Sequence, residues 1–206
     1  MYSAGFYPYP DEESYWGYWS KQAIFGGIDL DVTPLHKTFL SMLSGKKIFV
    51  LSTNADGQFV KAGLPEDQIF CTQGDYFHIQ CGKGCHDKLY DAVDMFRQMD
   101  QARRDCRIPI YMVPKCPVCG GAMDMNLRKD QHFVQDAAWY DAEQRFGDFL
   151  SEAEKGRLVL LELGVGFNTP MIIRFPFEKL VRENKNISII RLNLNEAVVP
   201  ESLGDR

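Results

Sequence analysis

Four cysteines stand in two short turns, Gln80-Cys81-Gly82-Lys83-Gly84-Cys85 and Lys115-Cys116-Pro117-Val118-Cys119-Gly120-Gly121. A tetrahedral zinc ion needs thiolates converging on one point, and a tight Cys-x(2–4)-Cys turn brings in two of them. The glycines after Cys119 let the backbone curl so that its N–H groups face the sulfurs. A disulfide pair or buried free thiols is the competing reading. Ligand spacing in both pairs, in a chain of cytosolic character, favours zinc. Cys81, Cys85, Cys116 and Cys119 are therefore the expected ligands of a structural Zn2+, because a closed four-sulfur site leaves no open position for chemistry. Cys71 and Cys106 remain, and each reads as a buried thiol rather than a reactive one.

Chemistry must then come from elsewhere, and polar residues at the ends of apolar strands are the best source. Residues 47–51 (Lys-Ile-Phe-Val-Leu) form a short apolar run that reads as a buried parallel strand. Ser52-Thr53-Asn54-Ala55-Asp56-Gly57 follows at once. In open α/β sheets, ligands bind at the carboxyl ends of the strands. A second strand over 67–71 ends in Thr72-Gln73-Gly74-Asp75, again polar. The most apolar strand, 158–163, runs into Gly164-Val165-Gly166-Phe167-Asn168-Thr169-Pro170. A glycine turn between a buried strand and a helix suits close approach of a phosphate or ribose, though two glycines alone are a weak signal. A last strand over 187–192 ends at Asn193 and Asn195.

The elements that position these loops follow from the same pattern. Asp11-Glu12-Glu13 starts a helix running to about residue 25, capped by Asp11. Gly26-Gly27 reads as a break. Thr33 caps a second helix with Pro34 at its first position, and Leu35, Phe39, Leu40 and Leu43 share one face of it. His36 in that helix reads as structural. Residues 58–62 form a short helix stopped by Gly63. Residues 87–104 read as an amphipathic helix, 108–113 as a strand, 121–134 as strands and a loop, 139–156 and 177–184 as helices. The aromatic-rich start, residues 1–20, must cover something, a core or a ligand pocket. The zinc module, 76–134, is thus an insertion in a single α/β domain spanning 1–206.

Composition sets the outer bounds. With 206 residues, 45% hydrophobic and 25% charged, the chain is an ordinary globular one. The net charge of −5 argues against a nucleic-acid or anionic-membrane surface, a zinc-knuckle nucleic-acid binder included. No apolar run reaches the length of about 18 residues that a membrane helix needs, so no membrane partner is expected. No basic-then-apolar leader opens the chain, and the cytoplasm is the expected compartment.

Taken together, these residues resemble the sirtuins, NAD-dependent enzymes with a Rossmann-like parallel sheet and a small zinc module. Thr33-Pro34-Leu35-His36 is loosely similar to the family's Pro-x-x-x-His helix start. Ser52-Thr53-Asn54-Ala55-Asp56, with Ala62-Gly63 following, resembles the Thr-Gln-Asn-x-Asp…Ala-Gly block that holds nicotinamide and its ribose. Leu163-Gly164-Val165-Gly166 resembles the Gly-Thr-Ser-type loop, and Arg191-Leu192-Asn193 the Ile-Asn that meets the adenosine ribose. The order and spacing of the blocks carry the resemblance. It implies NAD as cofactor, held by Thr53, Asn54, Asp56, Gly164, Gly166, Asn168 and Asn193. It implies Asn54, Asp56 and Gln73 as catalytic residues.

Two departures shape the expected function. Deacylases of the family have a catalytic His-Gly where this chain has Gln73-Gly74, and a neutral amide cannot be a general base. With the aromatic start, this pattern resembles the macrodomain-linked (class M) sirtuins. That resemblance implies ADP-ribosyl transfer to a protein acceptor, with a macrodomain protein and a lipoyl-carrier protein as partners. Deacylation, or a catalytically dead NAD- or ADP-ribose-binding fragment, is the alternative. The second departure is that the family's first strand and its Gly-Ala-Gly-x-Ser loop have no counterpart before Tyr2. A helix and strand usual in the family after the position of Arg206 have none either. The resemblance therefore implies an internal piece of a sirtuin with weak NAD binding. Strands 47–51 and 158–163 would either close on each other or leave a gap.

Overall fold

The computed structural model describes residues 2–204; Met1, Asp205 and Arg206, and with them the expected chain end, lie outside the described residues. The chain forms two compact units, residues 1–142 and 143–206.

In the first unit, α1 (Glu12–Ala23) begins as expected: the Asp11 carboxylate accepts the Ser14 N–H at 2.8 Å, and Glu12 and Glu13 occupy the first turn. The helix does not break at Gly26-Gly27 but continues as a π-helical turn, Ile24–Ile28. These glycines let the backbone press against Tyr76, which a Cβ at Gly27 would meet at 3.1 Å. Lys61 closes that turn by donating to the carbonyls of Gly27, Ile28 and Leu30. In α2 (Pro34–Met42) the Thr33 cap and Pro34 at the first turn stand as expected, and of the apolar face Phe39, Leu40 and Leu43 are half-buried while Leu35 is 75% exposed.

Two strands, β1 (Val50–Ser52) and β2 (Ile69–Cys71), pair in parallel, Val50 against Ile69 and Ser52 against Cys71. Between them α3 (Gln58–Lys61) ends near Gly63, whose φ of 102° only glycine adopts readily. The zinc module is a second, antiparallel sheet in the order β4 (Tyr90–Asp91), β3 (Gly74–Cys81), β5 (Met123–Leu127).

Two expectations fail here. The helix expected over 87–104 is only α4 (Val93–Ala102), because Tyr90 and Asp91 pair with Ile79 and His78 on β3. The Asp91 carboxylate then caps the Val93 N–H at 3.0 Å. Residues 108–113 are not a strand but contain a 3-10 turn, Ile110–Met112, because Pro109 lacks a ladder donor.

The core of this unit joins α1 to the zinc module. Trp16 and Trp19, 0% and 1% exposed, pack with Phe96 and Met99 of α4 and with Ile79, Met123 and Met125 of the sheet. The aromatic start therefore covers a core through these tryptophans, while Phe6 and Tyr7 stay exposed.

In the second unit, β6 (Leu158–Leu163) and β7 (Ile187–Leu192) pair in parallel and in register from Leu158–Ile187 to Leu163–Leu192. The alternation along β7 puts Ile187, Ile189 and Arg191 inside, and α6 (Arg174–Glu183) supplies buried Phe177 and Val181. α6 starts three residues before the expected 177, ten residues beyond Gly164, so the glycine turn does not open directly into the helix. A last helix, α5 (Ala137–Ala153), lies between β5 and β6 in sequence. Each parallel sheet has two strands: β1 hydrogen-bonds to β2, and β6 to β7.

Candidate functional site

The four expected metal ligands converge. The sulfurs of Cys81, Cys85, Cys116 and Cys119 all lie within 4.8 Å of one another, and the pairs Cys81–Cys119 and Cys85–Cys116 are 3.7 Å apart. A tetrahedron with zinc–sulfur bonds of about 2.3 Å has edges of about 3.8 Å, which these two pairs match, so the quartet suits a zinc ion. Cys81 ends β3, and Cys116 begins a turn closed by Cys116 N–H on the Gly121 carbonyl and Gly120 N–H on the Cys116 carbonyl, both 2.8 Å. Burial acts to raise the Cys81 thiol, but the N–H groups of Cys85 and Lys83 overcome it and bring it down to about 6. Such a thiol readily releases its proton when it binds a metal.

A second constellation forms where β1 and β2 end. Their register places the Ser52–Asp56 loop beside Thr72-Gln73-Gly74, and the Thr72 N–H donates to the Ser52 carbonyl at 3.0 Å. Ser52 Oγ accepts the Asn54 N–H at 3.1 Å, which shapes the loop and leaves the Asn54 side chain exposed. The Asp56 carboxylate accepts the Gln58 N–H at 3.0 Å and so also starts α3. Thr53 and Gln73 are half-buried. Gln73 is held by its backbone, whose carbonyl accepts the Arg128 N–H at 3.0 Å. Gly74 has φ 80°, and a Cβ there would overlap the Asn126 carbonyl. This turn therefore accepts glycine alone.

Sequence reasoning missed the groups that brace this turn. Gln80, 2% exposed, accepts from Asn126 Nδ2 at 2.7 Å and from the Val134 N–H at 2.9 Å, and donates to the His132 carbonyl at 2.8 Å. Gln58, also 2% exposed, accepts the Thr33 N–H and donates to the Asp31 carbonyl, tying the start of α2 to the Asp56 loop. The place of Gln80 directly before the ligand Cys81 was the available signal for the first. His36 Nδ1 is 2.7 Å from Thr33 Oγ1 and its ring lies against Phe59, contacts compatible with the structural reading. Asp75 accepts the Phe77 and His78 N–H groups and pairs with His78 Nδ1 at 3.0 Å, and this hydrogen bond raises the His78 pKa above its usual 6.5. The Cys71 thiol is pushed up to about 12, chiefly by burial and then by Asp75 and Asp56, so it is no nucleophile.

The second unit holds the remaining expected residues. Gly164 has φ 68° and donates its N–H to the Leu192 carbonyl at 2.8 Å, so the glycine turn and the end of β7 are locked together. Asn193 Nδ2 donates to the Val165 carbonyl at 3.1 Å, and its Oδ1 accepts the N–H groups of Asn195 and Glu196. Its side chain holds the loop's shape. Gly166 lies against the Glu196 carboxylate, which accepts the Phe167 N–H at 2.9 Å; Asn168 is exposed. Under these loops lies a closed charge network of Glu162, Glu178, Arg174 and Arg191. Arg191 bonds Glu162 at 2.5 and 3.0 Å, Glu178 at 2.9 Å and the Val198 carbonyl at 2.6 Å. Arg174 donates to the carbonyls of Val165, Glu196 and Val198. Charged residues inside two strand patterns were visible in the sequence, but their pairing was not.

No family profile matches the sequence. The chain is 31% identical over 207 residues to a protein ADP-ribosyltransferase of Staphylococcus aureus, covering 100% of this chain and 66% of that protein. It is 34% identical over 215 residues to a probable bifunctional ADP-ribose hydrolase/ADP-ribosyltransferase of Fusarium oxysporum, covering 97% of this chain and 35% of that protein. Among solved structures it is similar to one described under the structural basis of sirtuin substrate affinity, with TM-score 0.55, 17% identity, and 93% and 68% of the two chains covered. A Sir2 mutant with p53 peptide and NAD gives TM-score 0.55 at 16% identity, covering 93% and 75%. The fold is that of the Sir2 enzymes, a Rossmann-like α/β arrangement with a four-cysteine module, and the chain belongs to the sirtuin-like family.

Proposed function

We propose that the chain is a sirtuin-type NAD-dependent transferase that moves ADP-ribose to a protein side chain. The observation that carries this reading is the parallel register of β1 and β2. It brings the Asn54–Asp56 loop and Gln73 to one sheet end, and by the family resemblance Gln73 is the counterpart of the deacylase histidine. Gln73 can orient a ribose hydroxyl but cannot remove its proton. Deacylation needs that proton removed, whereas ADP-ribosyl transfer needs only a positioned glycosidic bond. Bound NAD would supply the ADP-ribosyl group, with nicotinamide as the leaving group and the acceptor's proton passing to solvent. Asn54, Asp56 and Gln73 would hold the nicotinamide ribose, and Thr53 would border it. Gly164, Gly166, Asn168 and Asn193 would meet the adenosine end.

In this reading residues 1–206 act as one sirtuin-type domain with the zinc module, 76–134, inserted. Zinc holds that module and takes no part in the reaction. The acceptor is a protein and a lipoyl-carrier protein is a partner, in the cytoplasm, a reducing compartment that preserves zinc thiolates. A macrodomain-type hydrolase is its counterpart, in keeping with a fungal relative whose name joins ADP-ribose hydrolase to transferase. Among the described residues no helix is long and apolar enough to cross a membrane. A second reading, a non-catalytic NAD- or ADP-ribose-binding module, draws on the neutral Gln73 at the position where the resemblance to deacylases calls for a histidine.

The test is calorimetric titration with NAD, zinc loaded, followed by release of nicotinamide and transfer of labelled ADP-ribose to a lipoylated carrier protein. The expected result is transfer that Asn54→Ala and Gln73→Ala abolish with the fold intact, and no deacylation of an acetyl-lysine peptide. Transfer by Gln73→Ala at the parent rate would refute the assignment. NAD binding without nicotinamide release would favour the second reading.

A further inference from the structure

The strongest unassigned cluster lies against the zinc quartet. His86 follows the ligand Cys85, and its Nδ1 is 3.0 Å from Cys85 Sγ and 4.0 Å from Cys116 Sγ. Its Nε2 is 2.9 Å from the Tyr90 hydroxyl on β4, and the two rings meet edge to face with centroids 5.8 Å apart. The Lys88 ammonium lies over the Tyr90 ring. Nitrogen and sulfur ligands of one tetrahedral zinc would be about 3.5 Å apart, so His86 Nδ1 is too close to Cys85 Sγ to be a fifth ligand. It is at the distance of a donor. A Tyr90 hydroxyl that donates to Nε2 leaves the ring proton on Nδ1, aimed at the sulfur.

We propose that His86, oriented by Tyr90, is a positioning residue for the metal: its Nδ1–H donates to the Cys85 thiolate and sets how slowly the site gives up zinc. The geometry makes that position decisive. Cys81 and Cys116 are buried, whereas Cys85 and Cys119 are exposed, so a competing chelator reaches the ion from the Cys85–Cys119 side. A donor on the Cys85 sulfur pins that sulfur in place and opposes its departure from the ion. The tether is short on both sides, with Cys85 bonded to His86 in the chain and Tyr90 fixed by its pairing with Ile79. Outer-shell partners of this kind are typically worth about 10–100-fold in metal affinity.

The experiment uses the whole chain loaded with zinc, and reads zinc transfer to a chromogenic chelator together with the thiolate-to-metal charge-transfer band of the Co2+-substituted protein. His86→Ala is expected to weaken zinc binding about 10–100-fold, speed its release and shift the Co2+ band. Asn carries an amide N–H close to the position of Nδ1, so His86→Asn is expected to restore most of the loss. Tyr90→Phe is expected to fall between the parent and His86→Ala. Zinc affinity of His86→Ala within twofold of the parent, or an unshifted Co2+ band, would overturn the proposal. Equal losses in His86→Ala and His86→Asn would also overturn it, because filling space rather than donating a proton would then be the ring's role. Should His86→Ala fail to fold, Tyr90→Phe against the parent decides by the same two readouts.

Discussion

Substituting Glu162 by Gln is the sharpest test of how the second unit is built. The side chains of Glu162 and Arg191 are 0% exposed, and the four-membered network balances two carboxylates against two guanidinium groups. The amide introduced by Glu162→Gln keeps one acceptor for Arg191 Nε but loses the second charge-assisted bond, worth about 1.5–3 kcal/mol. It also leaves a buried positive charge without compensation, and breaking a buried pair costs about 3–5 kcal/mol in total. Glu178 and the Val198 carbonyl still hold Arg191, so the lower end applies, and a loss of about 3 kcal/mol is expected. Urea unfolding followed by circular dichroism measures it. The double variant Glu162→Met/Arg191→Met is expected to recover at least half of that loss. Arg174 keeps the Val198 carbonyl bonded, and no unpaired charge remains at these two positions. A loss under about 1 kcal/mol for Glu162→Gln would show that the network contributes little. A double variant as unstable as the single would show that geometry, not charge balance, is what the network supplies.

Two further outcomes follow from the first unit and from α5. Gly74→Ala is expected to cost about 1–2 kcal/mol for its left-handed backbone and more for the collision with Asn126, while Gly147→Ala, with open space around it and an ordinary φ, is expected to be neutral or stabilising; equal melting temperatures for the two variants would refute the steric account. His78 titrates above its usual value because Asp75 stabilises its charged form, so the pair's contribution is full below about pH 6.5 and is lost as the pH rises through the folded His78 pKa. Asp91 and Asp136 push the same way. Asp75→Asn is expected to lower the His78 pKa seen by NMR and to flatten stability against pH in that window, and an unchanged titration would count against the pair.

Local chemistry was the legible part of this molecule. The Asp11 and Thr33 caps, the Gly63 stop and the parallel strands were readable because each depends on a few neighbours in sequence. The cysteine quartet was readable because metal-ligand spacing is itself a local pattern. Apart from the strand that Pro109 forbids, the errors occurred where a distant partner decides. Tyr90 and Asp91 carry a helix-compatible pattern, and only the open edge of β3 makes them a strand. The two glycines after α1 look like a stop until Tyr76 is placed beneath them. At the candidate site, Asn54, Asp56 and Gln73 could be named from the sequence, but their supports could not. Gln58, Gln80 and Asn126 act through partners up to 54 residues away, and such pairings leave no periodic trace.

The shared core of α1 and the zinc sheet has a consequence for anyone who would cut this protein into parts. A graft of the cysteine module alone would carry Phe96, Met99 and Met125 into water, since Trp16 and Trp19 would stay behind. The zinc ion clips the turns, yet it supplies no surface to replace two indoles. The smallest transplantable piece therefore includes the aromatic helix, and the boundary that the cysteines mark in the sequence is not the boundary along which the folded unit can be separated.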